Sequence, residues 1–198
     1  AGSAPNVSAE ARRAVVVVSS LHDVSRTQAD YLREHFAKDR IRVLAPTLQE
    51  ALDPAAMSAW MDRELGGREH SGGELGDRER GTDPFPELIV IESPTERPAD
   101  DYAGDVPAAE LIADSLATIT YRVLGHSPVD ALMLLGGEGA RAVLSRLGAE
   151  ALLVRDAIRE GIPLGTIEGG TAGGLTVVTK AGGFGTPTGN CTRIVSQS

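Results

Sequence analysis

The chain has 198 residues, of which 41% are apolar but only 4% aromatic, and its formal net charge is −9. That length bounds one substantial core, built mainly from Ala, Val, Leu and Ile, and the acidic balance argues against nucleic acid or an anionic membrane as the main partner. A single cysteine, Cys191, excludes an intramolecular disulfide framework, and no apolar run approaches the roughly 20 residues that span a bilayer.

Residues 1–11 are small and polar, with no signal-peptide core, and read as a linker into one domain over 12–198. A cytoplasmic protein is the expectation. The run Ala14-Val15-Val16-Val17-Val18 has the continuous β-branched character of a strand buried on both faces of a parallel sheet. It stops at Ser19-Ser20. Ser25-Arg26-Thr27-Gln28 then reads as a capping box opening a helix whose inward stripe is Ala29, Leu32 and Phe36. Residues 41–45 form a second strand, closed by Pro46, and Asp53-Pro54 is a capped helix start followed by the apolar face Met57, Trp60, Met61 and Leu65.

Residues 66–83 are polar and glycine-rich and read as a solvated insertion. Leu88-Ile89-Val90-Ile91 is a third strand, ended by Glu92-Ser93-Pro94. After a loop over 94–104, Asp105 is placed to cap a long helix carrying Ile112, Leu116, Ile119 and Val123, with Gly125 closing it. A fourth strand, residues 131–135, runs directly into Gly136-Gly137-Glu138-Gly139 and a helix with Ala140, Val143, Leu144 and Leu147 on one face, ending at Gly148. Residues 151–169 predict two strands around a turn at 160–163. Leu175 to Thr179 is the last strand, followed by Lys180 and by Gly182, Gly183 and Gly185. Strands alternating with helices predict a doubly wound α/β domain: a mostly parallel sheet with helices on both faces.

Three strand ends carry small or glycine residues: Ser19-Ser20, Gly136 to Gly139, and Lys180 to Gly185. In a parallel sheet they emerge on one edge, and the second leads into a helix N-terminus, where amides and the dipole favour an anion. Phosphate or nucleotide binding is the chemistry this convergence points to, with Lys180 as the cation and Glu138 able to serve the dipole, a metal or a ribose. Tight packing of strand against helix is the other account of the Gly136-Gly137 pair, and the two are compatible. His22, Asp23, Asp100 and Asp101 read as exposed loop residues. His35, His70 and His126 have no partner at metal-ligand spacing, and Cys191 has neither a CxxC motif nor a paired histidine.

In order, the segments Val15 to Ser20 with Ser25 to Gln28, Gly136-Gly137-Glu138-Gly139-Ala140, Gly161-Ile162-Pro163-Leu164-Gly165, and Lys180-Ala181-Gly182-Gly183-Phe184-Gly185 resemble the C-terminal nucleotide-binding domain of the four-carbon acid sugar kinase family. The resemblance covers roughly residues 14–187. It implies the ATP half of a kinase, using ATP with Mg2+, contacted at Ser20, Gly136 to Gly139, and Gly182. A separate N-terminal domain would hold the sugar acid, so this chain alone would bind nucleotide and hardly turn over. Three departures stand out: Gly139 where the family has threonine, His22 where serine is common, and 186–190 in place of an acidic residue and a helix. The first removes a hydroxyl from the expected phosphate contact and predicts that Gly139→Thr tightens binding. A non-catalytic α/β module that binds a regulatory ligand or a protein is the alternative reading.

Overall fold

The computed structural model describes residues 13–20, 23–66, 86–159 and 161–180. The first strand, β1 (Ala14–Val18), is buried at all five positions, as a both-face-covered central strand must be. Helix α1 (Asp23–His35) leads from it towards β2 (Ile41–Leu44). Two helices follow, α2 (Leu48–Leu52) and α3 (Pro54–Leu65), before β3 (Leu88–Glu92). A short hairpin, β4 (Tyr102–Ala103) and β5 (Val106–Pro107), precedes the long helix α4 (Ala108–His126). Then come β6 (Ala131–Leu135), α5 (Gly137–Arg146), β7 (Ala151–Arg159), β8 (Ile162–Glu168) and β9 (Thr176–Lys180).

Seven strands form one sheet in the order β2-β3-β1-β6-β9-β8-β7. The first five are parallel; β8 runs antiparallel to β9, and β7 antiparallel to β8. The doubly wound, mostly parallel expectation therefore holds, with an antiparallel extension at one side. Alternate strand residues split the core into two layers. Val15, Val17, Ile89, Ile91, Leu132 and Leu134 pack with α2 to α5 on one face. Val16, Val18, Val90, Met133 and Leu135 meet Ala29 and Leu32 of α1 on the other. Among the described residues no helix is long and apolar enough to cross a membrane.

Local chemistry accounts for most boundaries. Asp53 caps α3 by accepting from the amides of Ala55 (2.8 Å) and Ala56 (3.3 Å), with Pro54 at the first helical position as expected. Helix α2, absent from the sequence reading, begins with a genuine capping box: Thr47 accepts from the Glu50 amide, and Glu50 accepts from the Thr47 amide at 2.8 Å. The box assigned to Ser25 and Gln28 is not one. The helix already runs from Asp23, so both residues lie within it, fully buried, and Gln28 is turned to the sheet. Asp105 does not cap α4 either; it sits in the turn of the β4–β5 hairpin, and α4 begins after Pro107. Gly125 lies inside the last turn of α4, which runs on to His126. The 66–83 insertion falls, beyond Gly66, outside the described residues.

Candidate nucleotide site at the carboxyl edge of the sheet

Pairing register places Glu92, Val18, Leu135 and Lys180 side by side as the last residues of four neighbouring parallel strands. The loop after β1 leads to α1 on one face, whereas β3 and β6 are followed by helices packed on the other. Crevices therefore open on both sides of the end of β1, the place where α/β sheets take ligands.

The structure brings Ser19, Ser20, Gly136, Gly137, Glu138, Gly139 and Lys180 to this edge. Gly182, Gly183 and Gly185 lie outside the described residues, as does His22. The turns are fastened to the sheet. Ser19 and Ser20 both donate their amides to the Leu135 carbonyl (2.9 and 3.2 Å), and Gly136 donates to the Lys180 carbonyl at 2.9 Å. These three amides are engaged and are not available to a ligand. The donors that remain are those of the first turn of α5. The Ala140 amide is the first to bond back, to Gly136 at 3.1 Å, so Gly137, Glu138 and Gly139 have no carbonyl four residues behind them within the helix. Gly136, the residue before the helix, offers no side-chain cap. Gly137 and Glu138 are exposed, and a Cβ at Gly137 would meet nothing within 4 Å. The exposed amides of Gly137 and Glu138, at the positive end of the helix dipole, thus lie at the open rim near Ser20, while Gly139 is buried against Ser19.

Two glycines are required sterically. Gly136 has φ of 116°, and a Cβ there would come within 2.9 Å of the Ser20 nitrogen and overlap Ser19 Oγ. A Cβ at Gly139 would overlap both Cβ and Oγ of Ser19. That geometry corrects the reading of Gly139 as a missing hydroxyl. The space beside residue 139 is filled by Ser19, whose own Oγ donates to the Leu135 carbonyl at 3.1 Å, so threonine at 139 would displace the turn.

Lys180 is 3% exposed, and its Nζ donates to Gln28 Oε1 at 2.7 Å in the layer between sheet and α1. Its ammonium lies beneath the turns, at the inner face of α1. Among the described residues no group of three or more His, Cys, Asp or Glu is arranged to hold a metal ion. Glu138 is the carboxylate in the first turn of α5, and Mg2+ commonly arrives on substrate phosphates with one or two protein carboxylates. Glu138 thus stands where a Mg2+ carried by ligand phosphates would meet a carboxylate.

A neighbouring feature escaped the sequence reading. A cavity of about 260 Å³ opens between the ends of β1 and β3, with Ser20 in its wall. Arg33 there forms a close ion pair with Glu92 and a second, at 3.4 Å, with Asp30. Burial pushes the Glu92 carboxyl above its ordinary value, aided by Asp30 and opposed by Arg33 and Arg26. Arginines at positions 26 and 33, two turns apart on one helix face, were the available signal, but their meeting with β3 is tertiary. A larger cavity, about 760 Å³, lies between α4 and α5 and is lined on α5 from Arg141 onward, beyond the first turn.

Residues 15–189 match the nucleotide-binding C-terminal domain family. Over 172 residues the chain is 36% identical to a D-threonate kinase of Bordetella bronchiseptica, covering 86% of this chain and 37% of the kinase. A D-threonate kinase of Salmonella typhimurium is 34% identical over 82 residues, 41% of this chain and 19% of that one. The chain thus spans a little over a third of the length of the longer match. A crystal structure from Bordetella bronchiseptica, of a domain of unknown function with bound citrate in a domain-swapped dimer, superposes with a TM-score of 0.70 at 33% identity, over 89% of this chain and 39% of that one. A Haemophilus influenzae protein, 16% identical with a TM-score of 0.55 over 88% of this chain and 38% of that one, shares the fold. The chain belongs to the C-terminal nucleotide-binding domain family of the four-carbon acid sugar kinases.

Proposed function

We propose that this chain is the ATP-binding part of a sugar-acid kinase and that it holds the phosphates of Mg-ATP at the start of α5, between the ends of β1 and β6. The observation that carries this reading is the uncapped first turn of α5, with Gly137 and Glu138 exposed at the rim near Ser20. Ser19 and Gly136 shape the turn. Lys180 adds positive charge from below, where a low dielectric strengthens its pull on an anion. Glu138 faces the metal that the triphosphate carries, and Gly182, Gly183 and Gly185 complete the rim. Phosphoryl transfer relies on positioning and charge neutralisation. The length of the D-threonate kinases supports an acceptor domain N-terminal to this one, with a four-carbon sugar acid as the phosphoryl acceptor and the cytoplasm as the place of action. The isolated domain then binds nucleotide without appreciable turnover.

Gly137 permits a surgical test. Proline is well tolerated at the first helical position, and ψ of 135° at Gly136 suits a residue preceding proline, so Gly137→Pro deletes one amide donor while preserving the helix start. In calorimetry the wild-type chain is expected to bind Mg-ATP in the range of about 1 μM to 1 mM typical of enzyme substrates. Gly137→Ala, which keeps the amide, should match it, and Gly137→Pro should weaken binding about tenfold. Equal affinity for all three would remove the phosphates from this turn, and no binding by any would favour a non-catalytic module.

A further inference from the structure

The cavity beside β3 holds an unusual acceptor. Glu92 ends the strand with its side chain only 14% exposed. One carboxylate oxygen, Oε2, takes the Arg33 guanidinium, while Oε1 is buried and has no hydrogen-bond partner among the described residues. A buried acceptor left unsatisfied is costly and is rare in folded proteins. The polar groups around it are Ser20, Arg26, Asp30, Arg33, Ser93 and Thr95. A carboxylate can only accept, so what satisfies Oε1 must be a donor. The two guanidiniums in the wall are matched by the carboxylates of Asp30 and Glu92, so the lining has no net charge to draw an ion and a neutral donor suits it. Three hydroxyls, each able to donate and accept, suit a ligand that is itself hydroxylated. At about 260 Å³ the space falls below the roughly 300–1,000 Å³ of complete small-molecule sites, so it houses a fragment whose remainder extends past Ser20.

We infer that this cavity is a diol subsite, in which Glu92 Oε1 accepts a hydrogen bond from a ligand hydroxyl and Arg33 holds the carboxylate in place through Oε2. Ser20 stands in both the cavity wall and the phosphate rim, so one molecule bearing hydroxyls and phosphates reaches both. Resting on the nucleotide reading above, the diol is that of the ATP ribose. A free four-carbon sugar acid presents the same chemistry and is the other source. Ion pairing of Arg33 to Asp30 as well as to Glu92 keeps the guanidinium oriented when Glu92 is replaced.

The test is calorimetry on the full chain and on Glu92→Leu, with Mg-ATP, Mg-3′-deoxy-ATP, Mg-tripolyphosphate and D-threonate, alongside thermal unfolding without ligand. For the ribose, wild type should prefer Mg-ATP over the 3′-deoxy nucleotide by about tenfold, Glu92→Leu should lose that preference, and tripolyphosphate should bind both chains alike. The unliganded variant should melt no lower than wild type, because an unsatisfied buried carboxylate has been removed. Undiminished ATP affinity and preference in Glu92→Leu would overturn the subsite while leaving the phosphate site intact. Were ATP and tripolyphosphate both silent, the phosphate reading would fall. Loss of D-threonate binding in the variant would then uphold the diol site with the sugar acid as its source, and absence of D-threonate binding to wild type would overturn it.

Discussion

The contact between Ser19 and Gly139 is open to a quantitative test. Replacing Gly139 by alanine puts a methyl group where Ser19 Cβ and Oγ already are. Ser19 cannot rotate away freely, because its Oγ donates to the Leu135 carbonyl and its amide is tied to the same oxygen. Overpacking of this kind costs about 1–3 kcal/mol, and the lost hydroxyl bond adds about 0.5–1.5 kcal/mol. The helix propensity of alanine over glycine returns roughly 0.5–1 kcal/mol at position 139. A net loss of about 0.5–4 kcal/mol is expected, or roughly 1–16 °C in melting temperature for a domain of this size. Ser19→Gly vacates the space, so the double variant should recover most of that loss, with a coupling of about 1 kcal/mol or more in a double-mutant cycle. Urea and thermal unfolding of the four proteins measure it. If Gly139→Ala equals or exceeds wild type, or if the two changes simply add, the steric argument is wrong, and with it the conclusion that threonine cannot stand at 139.

Two further outcomes follow from buried polar groups. Gln28→Leu takes an acceptor from the Lys180 ammonium and should cost about 1–3 kcal/mol in urea unfolding, whereas Gln28→Leu with Lys180→Met should cost less than the sum of the single changes; a neutral Gln28→Leu would show that this bond does not matter. Glu92 supplies a pH signature. Desolvation first, and then Asp30, raise its folded-state pKa above the ordinary 4.5, against the pull of Arg33 and Arg26. The folded state therefore binds the proton more tightly than the unfolded chain, and the contribution of Glu92 to stability falls as pH rises from about 4.5 through the folded-state value. Glu92→Gln should gain on wild type across that interval and keep its advantage above it. An advantage that shrinks with rising pH would contradict the sign.

Sequence was most informative where one residue type has one physical use. Five β-branched or small apolar residues at 14–18 could only be a strand covered on both faces, and Asp53-Pro54 could hardly be anything but a helix start. Competition between local and tertiary demands defeated the rest. Ser25 and Gln28 have the spacing of a capping box, yet that spacing also puts two residues on one helix face, and burial against the sheet decided between them. The true box at Thr47 and Glu50 was hidden in a helix of five residues, too short to show periodicity. The β4–β5 hairpin, two residues a side, is likewise below what alternation reveals. The grouping of Ser20 with Gly136 to Gly139 was legible because parallel strands share an edge. Glu92 read only as the end of a strand, since its significance depends on Arg33 arriving from a helix nearly 60 positions earlier.

Among the described residues, one helix, α1, covers one face of this sheet, while α2 to α5 cover the other. Gln28 reaches the lysine on one flank of α1, and Arg33 reaches Glu92 on the opposite flank. The helix is therefore fastened to the sheet at two separate points along its length by polar bonds, in addition to its apolar stripe.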